Sequence, residues 1–177
     1  MHRLFVALPL PDDISDLLLD LEDGPEGLRW VHADSLHLTL RFIGEVDGAQ
    51  AEDVAAALSA LSSPTFDLRL GDVGCFAHRR HGALWAGVHP KEPVSDLARK
   101  VDRAVQSAGL PAETRAYHPH VTLARWSGSR PPIEAWLQRH AELASRSWRA
   151  DSFILYESHL GRHGPQYETI ASIALRD

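Results

Sequence analysis

The sequence predicts an α+β fold in which helices cover antiparallel or mixed sheets. Segments with the period-two alternation of strands are interleaved with segments of helical periodicity. The step from a strand predicted at residues 66–70 to the next at 83–88 leaves room for antiparallel pairing. A four-residue pattern that begins at His37 returns at His120, 83 residues later. Such an echo suggests two similar half-domains, each contributing one His-x-Thr to a shared interface.

The individual elements follow from apolar spacing and from chain breakers. The first apolar run ends at Pro9, and the helix near the middle of the chain repeats Leu97, Val101 and Val105 on one face. Pro131-Pro132 suits the start of a helix. Strands are predicted at residues 3–8, 36–43, 66–70, 83–88, 119–124, 148–160 and 167–175. Helices are predicted at residues 11–21, 51–61, 94–108 and 133–143.

Composition limits the kinds of partner. The 177 residues are 44% hydrophobic and carry a net charge of −6, which excludes a uniformly basic coat for nucleic acid. The charge is uneven, because residues 1–63 hold three arginines against 12 acidic residues, whereas residues 64–177 hold 15 basic against 12 acidic ones. A local basic site therefore remains compatible with the sequence.

One domain and a cytoplasmic location are expected. The length, and the absence of a flexible linker or low-complexity tract, predict a single domain over residues 1–177. The apolar start of the chain is too short for a membrane span and lacks the layout of a signal peptide. A single cysteine, Cys75, cannot form an intramolecular disulfide, as is usual in a reducing compartment.

The two His-x-Thr copies are the strongest candidates for chemistry. In a strand, residues i and i+2 share a face, so His37 projects with Thr39, and His120 with Thr122. Two imidazoles that face each other can donate and accept protons near neutral pH, and the two hydroxyls can hold phosphate oxygens. This combination suits metal-independent cleavage of a phosphodiester.

The surrounding residues resemble those of a known family. The segments His37–Gly44 (HLTLRFIG) and Tyr117–Arg125 (YHPHVTLAR) are similar to the paired motifs of the 2H phosphoesterase superfamily. The nearest match within it is the RNA 2′,3′-cyclic phosphodiesterase family, historically called 2′-5′ RNA ligases. The segments RLFVA at 3–7, LWAGV at 84–88 and LYES at 155–158 also resemble that family, so the similarity covers nearly the whole chain.

The resemblance implies a bilobal, pseudo-twofold fold with the active-site groove between its lobes. It implies hydrolysis of 2′,3′-cyclic phosphate ends to 2′-phosphomonoesters, without a metal or another cofactor, by a protein that acts as a monomer. His37 would be the general acid and His120 the general base, with the roles exchanged in the reverse direction of 2′-5′ ligation. Thr39, Thr122 and Arg125 would bind the phosphate oxygens.

Strand parity leaves the arginine uncertain at this point. Arg125 lies five residues after His120, so on a regular strand it faces away from the groove, and only a bulge, a twist or a strand end would bring it back. Arg41, four residues after His37, shares the histidine's face and is a second phosphate candidate beside a solvated role. His118 is interpreted as a structural neighbour of His120.

Three further features have alternatives. His37, His118 and His120 would also suit a metal site, although zinc does not require the threonines. The basic cluster at residues 75–81 is either an RNA-backbone contact beside the groove or a solvated loop. Several aromatic side chains would stack a terminal base or belong to the core, namely Trp30, Phe42, Tyr117 and Tyr156.

The predicted function also has alternatives. One is a phosphodiesterase of the same superfamily that acts on another small cyclic ester, such as ADP-ribose cyclic phosphate, or a 3′ exonuclease that acts on RNA tails. The other is a non-catalytic module that binds RNA ends. The intact pair of histidines and threonines favours catalysis over binding alone.

Overall fold

The computed structural model of the protein describes residues 1–177. Its strands are β1 His2–Leu8, β2 Arg29–Trp30, β3 Leu38–Val46, β4 Phe66–Ala77, β5 His81–His89, β6 His120–Ser127, β7 Trp148–Ala150, β8 Ser152–Gly161 and β9 Gly164–Ala174. Its helices are α1 Asp12–Leu19, α2 Gly48–Ser59, α3 Lys91–Ser107 and α4 Glu134–Arg139. None of these helices has both the length and the apolar character needed to cross a membrane.

The strands form one sheet in the order β7-β4-β5-β6-β3-β1-β8-β9, with β2 added beside β6. Every neighbouring pair is antiparallel. The two central strands, β3 and β6, pair only at Leu38 and Val121, so the sheet consists of two half-sheets joined at a narrow contact. The predicted α+β fold is confirmed, and its sheet is of the antiparallel kind.

The half-sheets are not successive halves of the chain. One contains β4, β5, β6 and β7, which follow one another in sequence, whereas the other combines β1 and β3 with β8 and β9 from the far end. The four-residue pattern that returns after 83 residues therefore lies on two equivalent strands at the centre of the sheet. The C-terminal hairpin β8–β9 completes the half-sheet that carries the first His-x-Thr.

Helix burial follows the apolar spacing. α3 buries Val94, Leu97, Val101 and Val105, which matches the predicted face, and removes them almost fully from water. α2 begins with a capping box in which the Asp47 carboxylate accepts a hydrogen bond from the Gln50 backbone N–H. α3 packs against β3, and α2 packs against β1 and β9. The opposite face of the sheet therefore remains available for a site.

Several boundaries differ from the prediction. β4 continues to Ala77, because its second part pairs with β5 along Val73 to Ala77. The strand predicted at 148–160 is divided into β7 and β8, which lie in different half-sheets. α4 is shorter than predicted, and the short strand β2 lies in a segment where no element was predicted.

Candidate active site

The two His-x-Thr copies meet at the centre of the sheet. His37 immediately precedes β3, and His120 is the first residue of β6. Antiparallel pairing of Leu38 with Val121 places Thr39 across from His120, and His37 across from Thr122, on one face of the sheet. The structure therefore brings together all four residues that the sequence singled out.

Each imidazole is oriented by a backbone carbonyl two residues earlier in the chain. His37 Nδ1 lies 2.7 Å from the carbonyl oxygen of Ser35, and His120 Nδ1 lies 2.6 Å from that of His118. A carbonyl oxygen only accepts, so Nδ1 carries the proton and donates in both rings. The neutral form of each ring consequently keeps its lone pair on Nε2, which is the atom available for proton transfer.

Burial lowers the pKa of both histidines below their ordinary value of 6.5. The hydrogen bonds to Ser35 and His118 oppose this shift, while the cation of Arg125 adds to it at both rings. His120 also lowers the pKa of His37, because two nearby imidazoles resist being charged together. The site therefore favours at most one protonated ring, which is the arrangement that paired acid and base catalysis requires.

The two threonines differ in their hydrogen bonds. Thr39 Oγ1 lies 2.8 Å from His37 Nε2, so its hydroxyl donates to the lone pair of the neutral ring. Thr122 has no such bond to His120 and lines the groove with its hydroxyl unpartnered. Thr39 thus orients an imidazole, whereas Thr122 is free to contact a ligand.

A β-bulge brings Arg125 into the groove. In the pairing of β5 with β6, Leu84 lies opposite Ala124 and Trp85 opposite Thr122, so Leu123 is an extra residue. The residues after Leu123 change face, and Arg125 lines the same cavity as His120 and Thr122. Of the three possibilities named from the sequence, a bulge, a twist or a strand end, the structure contains a bulge.

Arg41 is not a phosphate ligand. The equivalent bulge in β3, at Leu40, turns Arg41 toward α3, where its guanidinium pairs with the carboxylate of Asp102 and donates to the carbonyl of Pro111 over 2.7 Å. Its side chain is only 8% exposed. The candidate role at the phosphate was therefore wrong, because the shared face inferred from a spacing of four residues assumed an unbroken alternation.

The groove is closed on one side by the tip of the β8–β9 hairpin. Tyr167 packs edge-on against the His37 ring at 5.4 Å between centroids, and the Ser35 hydroxyl donates to the carbonyl of Pro165 over 3.4 Å. Cavities of about 570 and 590 Å³ extend from His37, and His120 lines only the first. Both are lined by His37, Thr39, Arg125, Pro165 and Tyr167. Each is large enough for a nucleotide-sized ligand.

Sequence patterns did not identify Tyr167 and Pro165. They lie in a strand with no motif, and only the pairing of β8 with β9 carries them over His37. His163 and His32, which were given no role, also line the first cavity. A pattern within one strand gives no signal for residues that arrive from another part of the chain.

The neighbouring residues have supporting roles. The His118 ring packs on Trp85 at 5.0 Å, and its backbone carbonyl orients His120, which agrees with a structural role. The Tyr117 hydroxyl donates to the carbonyl of Thr39 over 2.8 Å, and burial raises the pKa of this phenol. Tyr156 stacks on Phe5.

The remaining aromatic candidates, Trp30 and Phe42, line the first and second cavities, respectively. They are therefore the two candidates for base stacking that are in contact with the groove. Phe42 is 50% exposed, and Arg3 lies over its ring at 5.5 Å.

The three-histidine metal site has no geometric support. Ligand atoms of histidine, cysteine and carboxylate side chains converge within 4.8 Å in one group only, which consists of Glu157, His159 and Glu168 on the β8–β9 hairpin. Nδ1 of both His37 and His120 is already engaged by a carbonyl, and the His118 ring is held against Trp85. The observed arrangement suits proton transfer beside an anion.

Comparison with known proteins agrees with this site. The profile of the 2′-5′ RNA ligase superfamily matches residues 18–162. An RNA 2′,3′-cyclic phosphodiesterase of Bacillus subtilis is 31% identical over 180 residues, which cover 97% of this chain and 95% of that protein. The enzyme of the same name from Geobacillus stearothermophilus is also 31% identical, but this chain covers 56% of its length.

Solved structures give the same result. The crystal structure of Escherichia coli LigT complexed with 3′-AMP superposes with a TM-score of 0.85 at 29% identity, and the match covers 99% of both chains. The fold, the paired motifs and the extent of these matches agree. The chain belongs to the 2′-5′ RNA ligase superfamily.

Proposed function

We propose that this protein is an RNA 2′,3′-cyclic phosphodiesterase, a hydrolase that opens 2′,3′-cyclic phosphates at RNA ends to give 2′-phosphomonoesters. The observation that carries the proposal is the pair of imidazoles on one groove face, His37 and His120, each held through Nδ1. Nε2 of His120 has no protein partner, and Nε2 of His37 is bonded only to the Thr39 hydroxyl. The name of the B. subtilis and G. stearothermophilus relatives supports the same activity.

The reaction divides between the two rings. Neutral His120 takes a proton from a water molecule as the water oxygen bonds to phosphorus, and protonated His37 gives its Nε2 proton to the ribose 3′ oxygen as the P–O3′ bond breaks. The product has a 3′ hydroxyl and a 2′ phosphate, and the protons balance because one ring gains what the other loses. Exchange with solvent restores the starting state.

The phosphate is held by groups that the histidines do not use. Arg125 lines both cavities and lowers the pKa of both rings, so its charge lies close to where negative charge develops. The unpartnered Thr122 hydroxyl binds a phosphate oxygen. When His37 is protonated, its Nε2–H donates to the Thr39 hydroxyl, and bound substrate takes this bond over through the ribose 3′ oxygen. We further propose that 2′-5′ ligation uses the same groups, with the roles of the histidines exchanged in the reverse direction.

One copy of the protein is sufficient for this chemistry. Both motifs and the hairpin that covers them belong to residues 1–177, which we propose to be a single bilobal domain that acts as a monomer. We place it in the cytoplasm, where the lone Cys75 stays reduced. Light scattering of the purified protein tests the oligomeric state.

Hydrolysis of cytidine 2′,3′-cyclic phosphate by wild-type protein and by His37→Ala and His120→Ala tests the mechanism. We expect each substitution to lower kcat by about 10²- to 10⁴-fold, the contribution of one acid or base group. The matched control is His140→Ala, since His140 is bonded to Asp23 outside both cavities. Full activity in either motif variant would exclude the two-histidine mechanism.

Assays with other substrates separate the alternative functions. Activity restricted to ADP-ribose cyclic phosphate would move the substrate class within the superfamily, and trimming of an RNA tail would indicate an exonuclease. Tight binding of RNA ends with no turnover of any of these esters would identify a binding module. In each case the circular dichroism spectrum of the variants should match that of the wild type.

A further inference from the structure

A second surface on the groove side of the sheet lies at the tip of the β4–β5 hairpin. It comprises Arg29 and the four exposed residues His78, Arg79, Arg80 and His81, and we refer to it as the hairpin patch. The imidazoles of His78 and His81 stack at 4.7 Å between centroids, with 27° between their planes. Neither ring takes part in the mechanism proposed above.

Register places this patch beside Arg125. Phe76, Ala83, Arg125 and Arg29 are cross-strand neighbours in one row of β4, β5, β6 and β2. Cross-strand partners and residues two positions apart share a face. The next row therefore puts His78, His81 and Ser127 on the same face, about 7 Å farther from the centre of the groove.

The opposite face of this row is occupied by the core. Gly82 pairs with Trp126, and a Cβ atom on Gly82 would lie only 2.0 Å from the Trp126 ring. Trp126 is 1% exposed, so it fills the space under the hairpin. Because Trp126 packs beneath the hairpin, the stacked histidines lie on the groove side of the sheet.

The patch carries uncompensated positive charge. Six arginines of the chain have acidic partners and ten have none, and four of these ten lie in the patch or beside it. Arg29, Arg79, Arg80 and Arg125 have none within 4.0 Å. Arg29 is instead held by a hydrogen bond of 3.0 Å to the Ser127 hydroxyl, which places its guanidinium beside the row that carries the stacked rings.

We propose that the hairpin patch binds backbone phosphates of single-stranded RNA upstream of the cyclic end. This inference rests on the proposed function, because Arg125 then holds the terminal phosphate. The distance of about 7 Å between the two rows of the sheet is comparable to the spacing of successive phosphates along an extended RNA chain. The protein therefore contacts an RNA oligomer at more than one phosphate, whereas a cyclic mononucleotide contacts only the groove.

The test compares two substrates that share the same reacting group. One is adenosine 2′,3′-cyclic phosphate, and the other is a four-nucleotide RNA that ends in it. For His78→Ala/His81→Ala and for Arg79→Ala/Arg80→Ala, we expect kcat/KM to fall about tenfold on the RNA, as for a lost hydrogen bond to phosphate, and to stay unchanged on the mononucleotide. Arg103→Ala, an exposed arginine of α3 outside the groove, should change neither value.

Salt dependence gives an independent measure. The slope of log(kcat/KM) against log salt concentration on the RNA should become shallower by about 0.7 for each phosphate contact that the patch variants lose. Equal effects on both substrates, or no effect on the RNA, would overturn the proposal.

If the wild type cleaves neither substrate, the proposed function is wrong, and fluorescence anisotropy with a labelled RNA that ends in a 2′-phosphate decides the inference alone. Weaker binding by about tenfold in the patch variants supports it, and unchanged binding contradicts it.

Discussion

The strands β3 and β6 carry the same His-x-Thr sequence and the same bulge, yet they end up with different chemistry. In each strand the extra residue is a buried leucine, Leu40 or Leu123, and the fifth residue after the histidine returns to the groove. That residue is Phe42 in β3 and Arg125 in β6. An equivalent backbone therefore places an apolar ring on one side of the reacting centre and a cation on the other.

The residue before this position differs as well. Arg41 turns inward to Asp102, whereas its equivalent, Ala124, is an ordinary core residue with no exposed surface. An arginine is thus present in both strands one position apart, and the bulge decides that one stabilises the fold while the other faces the ligand. The duplicated backbone thus supplies the two histidines that we propose as acid and base, and the neighbouring side chains make the two sides of the site unequal.

Substitution of the fifth residue after the histidine should have the largest effect on activity. Arg125→Ala removes the cation that faces the phosphate, so we expect kcat/KM on a cyclic mononucleotide to fall about 10- to 100-fold. Phe42→Ala is the matched variant in the other strand. It removes no charge, so we expect it to change this value by less than about threefold, and a larger loss would indicate that the Phe42 ring stacks on the base. Steady-state kinetics of the two variants check this, and equal losses would mean that the two sides contribute alike.

Substitution of the two threonines should have smaller effects, and these should differ between the two strands. Thr39→Val removes the hydroxyl that orients His37, so we expect kcat to fall about tenfold with KM little changed. Thr122→Val removes a hydroxyl with no protein partner, so we expect KM to rise about tenfold. Measurement of kcat and KM separately tests the division, and a KM effect in Thr39→Val would contradict it.

The pH profile depends on both histidines together. Activity needs one neutral and one protonated imidazole, and this state is most populated between two pKa values that both lie below 6.5. As the pH rises above 6.5 the acid loses its proton, so kcat/KM should decline by up to about tenfold per pH unit. A profile that rises between pH 7 and 8 would contradict the lowered pKa values.

Arg125 links this profile to the comparison. Because its charge lowers the pKa of both histidines, Arg125→Ala should move the profile to higher pH, whereas Phe42→Ala should leave its position unchanged. The pH dependence of kcat/KM for both variants on the same mononucleotide separates the two outcomes.

Local patterns in the sequence were sufficient to predict part of this site. The face shared by His37 and Thr39, and by His120 and Thr122, follows from a spacing of two residues and from no other information. The four helices and most of the strands follow in the same way from apolar spacing. These features depend on neighbours in the chain, so the sequence alone contains them.

The features that were missed depend on neighbours in space. Leu40 and Leu123 look like ordinary members of an alternating strand, and only the pairing with β1 and β5 shows that each is a bulge. Arg41 was consequently placed on the wrong face, and the orientation of Arg125 could only be stated as a condition. Tyr167 reaches His37 through strand pairing with a distant part of the chain, which no local period encodes.

The origin of the first half-sheet has a consequence for synthesis. β1 and β3 leave the ribosome early, but β8 and β9, which complete their half-sheet and bring Tyr167 over His37, are the last strands to be made. A nascent chain that already contains both His-x-Thr segments therefore lacks one wall of its groove. The groove is complete only once the hairpin has been translated.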